Sequence, residues 1–334
     1  MSALWWRRRE PPWLEAVLWP LSLAALGYRA GAALFRQSAR PVRAGAPVIS
    51  VGNLVVGGAG KTPVALELAE RLLRRGKQPA LLSRGYGRRS RLPVEVSEHM
   101  PASLTGDEPL MIKRRCPRLR VLVGPRRAML ASQAVARGAD VLLLDDGLQH
   151  HQLERDLDVV VMDASNPFGN GRLLPRGPLR EPLDSLRRVR RGLLWLTRCD
   201  LPRAPELPRL PIAGPVESAF AARDAQPLAG KAAFLFAGLA RPDSFEALVR
   251  SHDVRVVGTR WFSDHHAYSP RDLEQLRHAA RSSGAGLLLT TEKDSVRLAA
   301  HDLTGAPPIA SLPVDLRIVG GEAALEVALD EVLR

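Results

Sequence analysis

The stretch VGNLVVGGAGKTP, from Val51 to Pro63, has the glycine spacing and the lysine–threonine ending of a phosphate-binding loop. The full pattern is G-x-x-x-x-G-K-[ST]. Gly60, Lys61 and Thr62 match its end, and Val55 stands in place of its first glycine. Glycines let backbone N–H groups converge on an anion without side-chain clashes. The stretch therefore predicts a nucleotide phosphate site, the alternative being a tight glycine turn with a surface lysine.

The residues of this loop have separate expected roles. Lys61 is expected to reach the β- and γ-phosphates, and the Thr62 hydroxyl to bind Mg²⁺. Pro63 suits the first turn of a following helix, where its missing N–H is not needed. The candidate nucleotide-binding residues are Gly57, Gly58, Ala59, Gly60, Lys61 and Thr62.

The run VLLLDDGLQHH supplies two adjacent carboxylates after an apolar strand candidate, Asp145 and Asp146. Open α/β sheets bind their ligands at the carboxyl ends of strands. A P-loop needs a carboxylate to anchor its metal, and two buried like charges without a cation are costly. One aspartate is expected to bind Mg²⁺ and the other to orient water or substrate. Asp145 is the candidate metal ligand and Asp146 the candidate catalytic carboxylate.

Outward from the loop, short apolar strands alternate with longer amphipathic segments. Continuous apolar runs are typical of parallel strands covered on both faces, and repeated strand–helix units predict an α/β sheet. The predicted strands are Val48–Gly52, Ala80–Ser83, Leu119–Gly124, Val141–Leu144, Leu157–Met162, Ala232–Ala237, Val254–Val257 and Leu287–Thr290. The predicted helices are Pro63–Arg75, Glu108–Arg115, Arg127–Arg137, Pro242–Ser251, Pro270–Ser282 and Glu322–Leu333.

The proline-dense stretch 202–215 is expected to mark a domain boundary. We expect an N-terminal membrane-associating segment over residues 1–40 and a P-loop domain over 41–215. A smaller second α/β lobe is expected over 216–334, with a cleft between the two lobes.

The N-terminal segment combines arginines, tryptophans and an apolar stretch. Arg7, Arg8 and Arg9 precede the stretch from Trp13 to Gly27, which is short of the ~20 apolar residues of a spanning helix. Interfacial aromatic and basic residues favour a helix lying on an anionic membrane surface. A core helix and a signal peptide are the alternatives; the nucleotide loop that soon follows argues against export.

The 334 residues carry a formal net charge of +13, which favours an anionic partner such as a phosphorylated ligand, a nucleic acid or an anionic membrane. A merely basic, soluble surface is the alternative. Cys116 and Cys199 have no CxxC partner. Two lone thiols fit a reducing cytosol and argue against a disulfide-stapled secreted domain.

Two further motifs carry acid–base groups. TGDEPL places Asp107 at the start of a predicted helix, and FSDHHAY places His265 beside Asp264. Phosphoryl transfer to a hydroxyl needs a group that accepts its proton, usually Asp or His. Taken alone, Asp107 suits a helix N-cap and each histidine a structural donor. The two His–His pairs lack the usual spacing of zinc ligands.

Arginines recur in glycine- and proline-rich loops, where a planar guanidinium can bind a phosphate as a fork. The segments are SRGYGRR, VGPRR and LLPRGPLREP, which contain Arg84, Arg127, Arg176 and Arg180. Solvated surface charge is the alternative for any single one of them.

Seven motifs occur in one order: SVGNLVVGGAGKTP, SRGYGR, GDEP, DDGLQH, LLPRGPLRE, FSDHHAY and TTEKD. Together they resemble the tetraacyldisaccharide 4′-kinase family of lipid A biosynthesis, over almost the whole chain. The resemblance implies ATP and Mg²⁺ as cofactors and transfer of the γ-phosphate to the 4′-hydroxyl of a lipid A disaccharide 1-phosphate. It also implies that 41–215 is a P-loop kinase domain and that the second lobe, 216–334, closes over the nucleotide. It further implies a peripheral enzyme on the anionic cytoplasmic face of the inner membrane. We expect no nucleic acid and no obligate protein partner.

The resemblance also implies roles for individual residues. Lys61 and Thr62 match the phosphate and Mg²⁺ ligands, and the Asp145–Asp146 pair matches residues of metal binding and catalysis. The aspartate and histidine that abstract a proton are matched by Asp107 and His265. The residues that match lipid-phosphate contacts are Arg84, Arg127 and Arg180. Arg176 stands where a small residue is common in the family.

Two other functions stay open on the residues alone. One is a P-loop NTPase switch or maturation factor that acts on a protein partner, and the other is a membrane adaptor with a decayed nucleotide site. A GTPase switch is expected to carry an NKxD-type base-reading motif, to which the segment TEKD is only superficially similar. Lys61, Thr62 and Asp145 argue against a decayed site.

Overall fold

The computed structural model describes residues 5–6, 12–204, 210, 212–239, 241–299 and 301–334. The basic cluster Arg7, Arg8 and Arg9 lies outside the described residues. The chain divides into two compact units, each made of separate segments. The first comprises Met1–Arg84, Leu119–Ala219 and Ile318–Arg334, and the second Gly85–Arg118 and Phe220–Arg317. The predicted domain bounds at residues 40 and 215 stay a prediction.

The described elements are helices and strands distributed along the whole chain. In chain order they are α1 (Pro12–Ser38), β1 (Val48–Gly52), α2 (Lys61–Arg74), β2 (Pro79–Ser83), β3 (Val94–Glu95), α3 (Ala102–Thr105), α4 (Asp107–Arg115), β4 (Arg120–Val123), α5 (Arg127–Ala136), β5 (Val141–Asp145), β6 (Leu157–Asp163), β7 (Gly192–Thr197), β8 (Ala213–Ala222), β9 (Ala232–Gly238), α6 (Pro242–Arg250), β10 (Arg255–Phe262), α7 (Pro270–Ser282), β11 (Leu287–Thr291), α8 (Glu292–Leu298), β12 (Ile309–Leu312), β13 (Val314–Gly320) and α9 (Glu322–Leu333). Short 3₁₀ turns span Leu183–Arg188 and Gln226–Leu228.

The first unit is built on parallel strands in the order β8-β7-β6-β1-β5-β2-β4. Strand β1 lies between β5 and β6, and Val51 is the register partner of Asp145. The central strands β1, β2, β5 and β6 are buried along their whole length, and helices such as α5 pack Leu130 and Ala134 against the sheet. The predicted α/β class, with a parallel sheet around the phosphate loop, is confirmed.

The second unit contains a parallel sheet of four strands in the order β10-β9-β11-β12. Helix α6 covers it through Phe245 and Val249, and helix α7 through Leu273 and Leu276. A capping box at Ser269 begins α7, because its hydroxyl accepts from the backbone of the residue at the third helical position.

Helix α1 extends well beyond the apolar stretch that was expected to end at Gly27. It continues through Pro20 to Ser38. Residues Val17–Ser38 are long and apolar enough to cross a membrane by length and composition alone, and 6% of that window is buried. Trp13, Leu26 and Leu34 are each more than half exposed. This exposure distinguishes α1 from the helix of a protein core.

Helices α2 and α9 of the phosphate-loop unit are joined by ion pairs. Arg71 donates to Glu322 (2.7 Å) and to Glu326 (2.5 Å), and Arg75 donates to Glu326 and Asp330. Burial raises the pKa of Glu326, but hydrogen bonds from Arg75 and Arg71 outweigh it and lower that pKa. The C-terminal helix is thereby fixed to the helix that begins at the phosphate loop.

Replacing Arg71 with alanine is expected to lower the free energy of unfolding by about 1–2 kcal/mol, a modest amount because water screens the partly exposed carboxylates. A carboxylate whose folded-state pKa is lowered stabilises the fold above its unfolded-state pKa and loses this contribution as pH falls. The difference between the wild type and the variant should therefore shrink below about pH 4. Arg74→Ala is the control, since Arg74 is 61% exposed. Equal destabilisation by both variants in denaturant titrations would contradict the assignment.

Candidate active site

The phosphate loop connects β1 to α2 in the conformation that its glycines predict. Gly57 and Gly60 have φ angles of 112° and 88°, a region that residues with a side chain rarely adopt. Val55, which replaces the first glycine of the pattern, forms an isolated bridge with Leu179 and is 3% exposed. Its side chain therefore packs in the protein interior. The loop ends at Lys61, the first residue of α2, where helical N–H groups and the helix dipole favour an anion.

Lys61 belongs to a polar cluster with Asp146 and Arg180. Its Nζ donates to Asn53 Oδ1 (3.0 Å) and lies 3.4 Å from Asp146 Oδ1. Arg180 donates to both carboxylate oxygens of Asp146 at 2.8 and 2.7 Å, and to Gln149 Oε1 at 3.2 Å. Burial raises the pKa of Asp146, but Lys61 and Arg180 outweigh it and lower the pKa to about 2. Asp146 therefore stays ionised and holds two cations beside the loop.

The oxygen donors beside the loop fit a divalent cation. Asp145 ends β5 next to Val51, is 7% exposed and accepts from Ser83 Oγ at 2.8 Å. Thr62 lies in the first turn of α2. A hydroxyl and a carboxylate are ligands that Mg²⁺ takes, together with phosphate and water oxygens. No cluster of three His, Cys, Asp or Glu side chains suited to a metal occurs in the described part of the chain.

The three arginines predicted to bind substrate phosphate lie in different environments. Arg84 is exposed just after β2. Arg127 is 7% exposed at the start of α5 and donates to the Gly124 carbonyl at 3.2 Å. Arg180 follows Leu179, which pairs with Val55 of the phosphate loop, and the Arg180 amide donates to the Leu54 carbonyl at 2.7 Å. Of the three, only Arg180 joins the Lys61–Asp146 cluster in the described contacts.

A cavity of about 440 Å³ lies between α1 and the segment 173–188. Its charged lining is mostly basic, with Arg29, Arg36, Arg180 and Arg188 against Glu181 and Asp184. Glu181 accepts from Arg36 at 3.0 Å and from Arg188 at 2.7 Å. Arg180 thus belongs both to this basic cavity and to the cluster around Asp146.

The second unit brings together the predicted pair Asp107 and His265. Asp107 begins α4 and its Oδ2 lies 3.5 Å from His265 Nδ1, a long contact of the kind that can tighten around a ligand. His265 has φ of 60°, an uncommon backbone angle outside glycine. Burial raises the pKa of Asp107, but hydrogen bonds with His265 and Arg297 outweigh it and lower that pKa.

Two residues of α8, Lys293 and Arg297, complete this cluster, and no role had been predicted for either of them. Arg297 donates to Asp107 Oδ2 at 2.5 Å and lies 3.3 Å from His265 Nδ1. Lys293 Nζ lies 3.2 Å from His265 Nε2 and pairs with Glu108 at 2.9 Å. Lys293 and Arg297 are four residues apart on α8, so both lie on one helix face. The spacing of four residues between these two basic side chains is the only sign of their joint role that the sequence contains.

Comparisons with known proteins agree on one family. The profile of the family described as tetraacyldisaccharide-1-P 4′-kinase matches residues 14–334. A tetraacyldisaccharide 4′-kinase of Anaeromyxobacter sp. (strain K) is 46% identical, over 100% of this chain and 95% of the relative. A relative of the same name from Geobacter sulfurreducens is 38% identical, over 93% of this chain and 89% of its own length. The crystal structure of LpxK from Aquifex aeolicus in complex with ATP superposes with a TM-score of 0.74 at 26% identity, covering 96% of this chain and 100% of that one.

Proposed function

The chain belongs to the tetraacyldisaccharide-1-P 4′-kinase family, and on that premise we propose that it transfers the γ-phosphate of ATP to the 4′-hydroxyl of a tetraacyldisaccharide 1-phosphate. The observation that carries the proposal is the phosphate loop with Lys61 held between Asn53 and Asp146. An ammonium in that place can neutralise phosphate charge as it shifts during transfer.

In this proposal the phosphates lie on the backbone N–H groups of residues 57–62. Lys61 reaches the β- and γ-phosphates, and Asp146 acts in catalysis by keeping Lys61 and Arg180 in place. Thr62 and Asp145 are the residues that would hold Mg²⁺, which when bound supplies positive charge at the phosphate oxygens. A positioned set of cations and amides lowers the barrier most where charge develops in the transition state.

The Asp107–His265 pair is proposed to accept the proton of the acceptor hydroxyl. The hydroxyl oxygen forms a bond to the γ-phosphorus, the bond to the β–γ bridging oxygen breaks, and ADP leaves. The proton passes to this pair, in which His265 Nδ1 faces the Asp107 carboxylate. The support is the contact of this pair and its fixation by Arg297.

The lipid phosphate is proposed to bind Arg84, Arg127 and Arg180. Support is strongest for Arg180, which lines the basic cavity beside α1 and also contacts Asp146. A guanidinium presents a planar fork that matches phosphate oxygens. Tyr28 of α1 lines this cavity, and the exposed apolar residues of the same helix suit contact with acyl chains.

We propose that α1 lies on the cytoplasmic face of the inner membrane. The supports are its exposed tryptophans Trp13 and Trp19, the basic residues Arg29 and Arg36, and the need to reach a lipid acceptor. A membrane-bound acceptor explains why a nucleotide loop follows an apolar helix in the same chain.

Replacing Leu26 with aspartate is expected to weaken binding to vesicles of anionic phospholipid by about tenfold or more. A leucine side chain that inserts into the lipid contributes strongly to membrane affinity, and a carboxylate does not. Leu26 is 60% exposed, so its loss leaves the packing of the unit intact. Gln37→Asp changes the charge equally at an exposed position near the end of the helix and serves as the control. If both variants float with vesicles as the wild type does, α1 is not the anchor.

The proposed activity is tested with γ-labelled ATP and purified disaccharide 1-phosphate, the products being separated by chromatography. Label in the lipid is the expected result. Label released only as inorganic phosphate, and stimulated by a protein, would instead support the alternative of an NTPase switch.

A further inference from the structure

Two consecutive residues at the end of β7 hold two consecutive carbonyl groups of the phosphate loop. Thr197 Oγ1 donates to the Ala59 carbonyl at 2.9 Å, and Arg198 donates to the Gly58 carbonyl at 3.0 Å. Strand β7 is separated from β1 by β6, so these contacts reach the loop from the side opposite α2 and β5. None of the sequence motifs singled out above includes either residue.

Arg198 is itself fixed by the end of the intervening strand. The same guanidinium nitrogen donates to Asp163 Oδ2 at 2.9 Å, and Asp163 is the last residue of β6. The other oxygen of Asp163 accepts from the Ser165 amide and hydroxyl at 2.9 and 2.6 Å. Arg198 is 8% exposed and Asp163 is 4% exposed. The Arg198 guanidinium therefore holds the Gly58 carbonyl from a fixed, buried position, because its partner Asp163 is itself held by Ser165. We call Thr197 and Arg198 together the clamp.

The backbone at Arg198 has the left-handed conformation, with φ of 55°. This region is uncommon for residues other than glycine and persists only where surrounding contacts impose it. Here the turn follows directly after β7 and lets Arg198 reach the loop immediately after Thr197. Such conformations cluster at ligand sites, and this one lies against a ligand loop.

The clamp fixes the direction of the loop amides. A trans peptide unit is planar, and its C=O and N–H groups point in opposite directions. Because the Ala59 carbonyl points at Thr197, the N–H of Gly60 in the same peptide unit points away from β7. In the preceding peptide unit, Arg198 holds the Gly58 carbonyl, and the N–H of Ala59 donates to the Gly57 carbonyl at 3.0 Å. Carbonyl oxygens held by side-chain donors are turned away from an anion and do not repel it.

We propose that Thr197 and Arg198 are positioning residues that preorganise the phosphate loop for a nucleoside triphosphate. The inference rests on the proposed function only in taking a nucleoside triphosphate as the ligand of the loop. Arg198 acts through the Gly58 carbonyl and Thr197 through the Ala59 carbonyl; neither residue needs to touch the phosphates.

The test measures binding of Mg²⁺–ATP to the full chain by calorimetry, together with the KM for the lipid acceptor. Thr197→Val keeps the shape of the side chain and removes its donor, so the Kd for ATP should rise about threefold to tenfold. Arg198→Ala should raise it more, by about tenfold to a hundredfold. Arg198→Lys should recover part of the loss, because an ammonium is a point donor without the planar fork. The KM for the lipid should change little in each variant.

Arg155→Ala is the matched control. It removes another buried arginine–aspartate pair of the same unit, Arg155–Asp158 at 2.8 Å, which lies at the amino end of β6. It should lower the melting temperature and leave the Kd for ATP unchanged. ATP binding by Thr197→Val and Arg198→Lys equal to that of the wild type would overturn the proposal, as would equal losses in Arg155→Ala and Arg198→Ala. A wild-type chain that binds no ATP would overturn the proposed function instead.

Discussion

Replacing Lys61 with alanine is expected to reduce phosphate transfer to the lipid acceptor by about three orders of magnitude or more. The ammonium of Lys61 is held by Asn53 and Asp146 at the start of α2, where it can lie between the β- and γ-phosphates. Alanine removes this charge and leaves Asp146 paired with Arg180 alone. Initial rates with labelled ATP and disaccharide 1-phosphate measure the effect.

Two comparisons separate the loss of this charge from a loss of folding. Lys231→Ala removes an exposed lysine of the second unit and should leave the rate unchanged. The melting temperature of Lys61→Ala should stay close to that of the wild type, because the loop backbone is held by other residues. Transfer by Lys61→Ala at the wild-type rate would show that the assigned role of Lys61 is wrong.

Replacing Asp107 or His265 with alanine is expected to lower kcat by about 10²- to 10⁴-fold while changing the Kd for ATP little. The two side chains form one unit, with Arg297 bound to Asp107 and close to Nδ1 of His265. Because the pair acts together, the double variant should be only slightly slower than either single variant. Single-turnover rates under saturating ATP measure the chemical step directly.

The neighbouring His266 provides the control for this experiment. Its Nε2 lies 3.2 Å from Asp272, in the first turn of α7, and its ring stacks on Phe262. These contacts give His266 a structural role at the start of α7. His266→Ala should keep kcat within about threefold of the wild type, as expected for a group outside proton transfer. Strictly additive losses in the double Asp107/His265 variant would contradict a coupled pair.

The sequence predicted the fold where hydrophobic runs are long and bounded by glycine or proline. Strand Val48–Gly52 and helix Pro270–Ser282 were predicted with the bounds that the structure has. Strand Gly192–Thr197 was not predicted, since arginines crowd its approach and a proline-dense stretch follows it. Helix α1 lies within the predicted N-terminal segment 1–40 and runs past the apolar stretch Trp13–Gly27, because Gly27 and Gly31 do not end it.

The candidate site was predictable where the chemistry is local in sequence. Lys61 and Thr62 belong to one motif, and Asp145 follows a recognisable strand. Arg198 could not be found this way, because its partners Gly58 and Asp163 are brought to it only by the order of the strands. Arg297 likewise meets Asp107 across 190 residues of sequence, which no local pattern expresses.

The most direct test of the central claim is a crystal structure with Mg²⁺ and a non-hydrolysable ATP analogue. The claim predicts that the triphosphate lies on the backbone of residues 57–62, with Lys61 Nζ within about 3 Å of a β- or γ-phosphate oxygen. It also predicts a cation held by Thr62 and Asp145. A triphosphate bound elsewhere, with these groups left without a ligand, would contradict it.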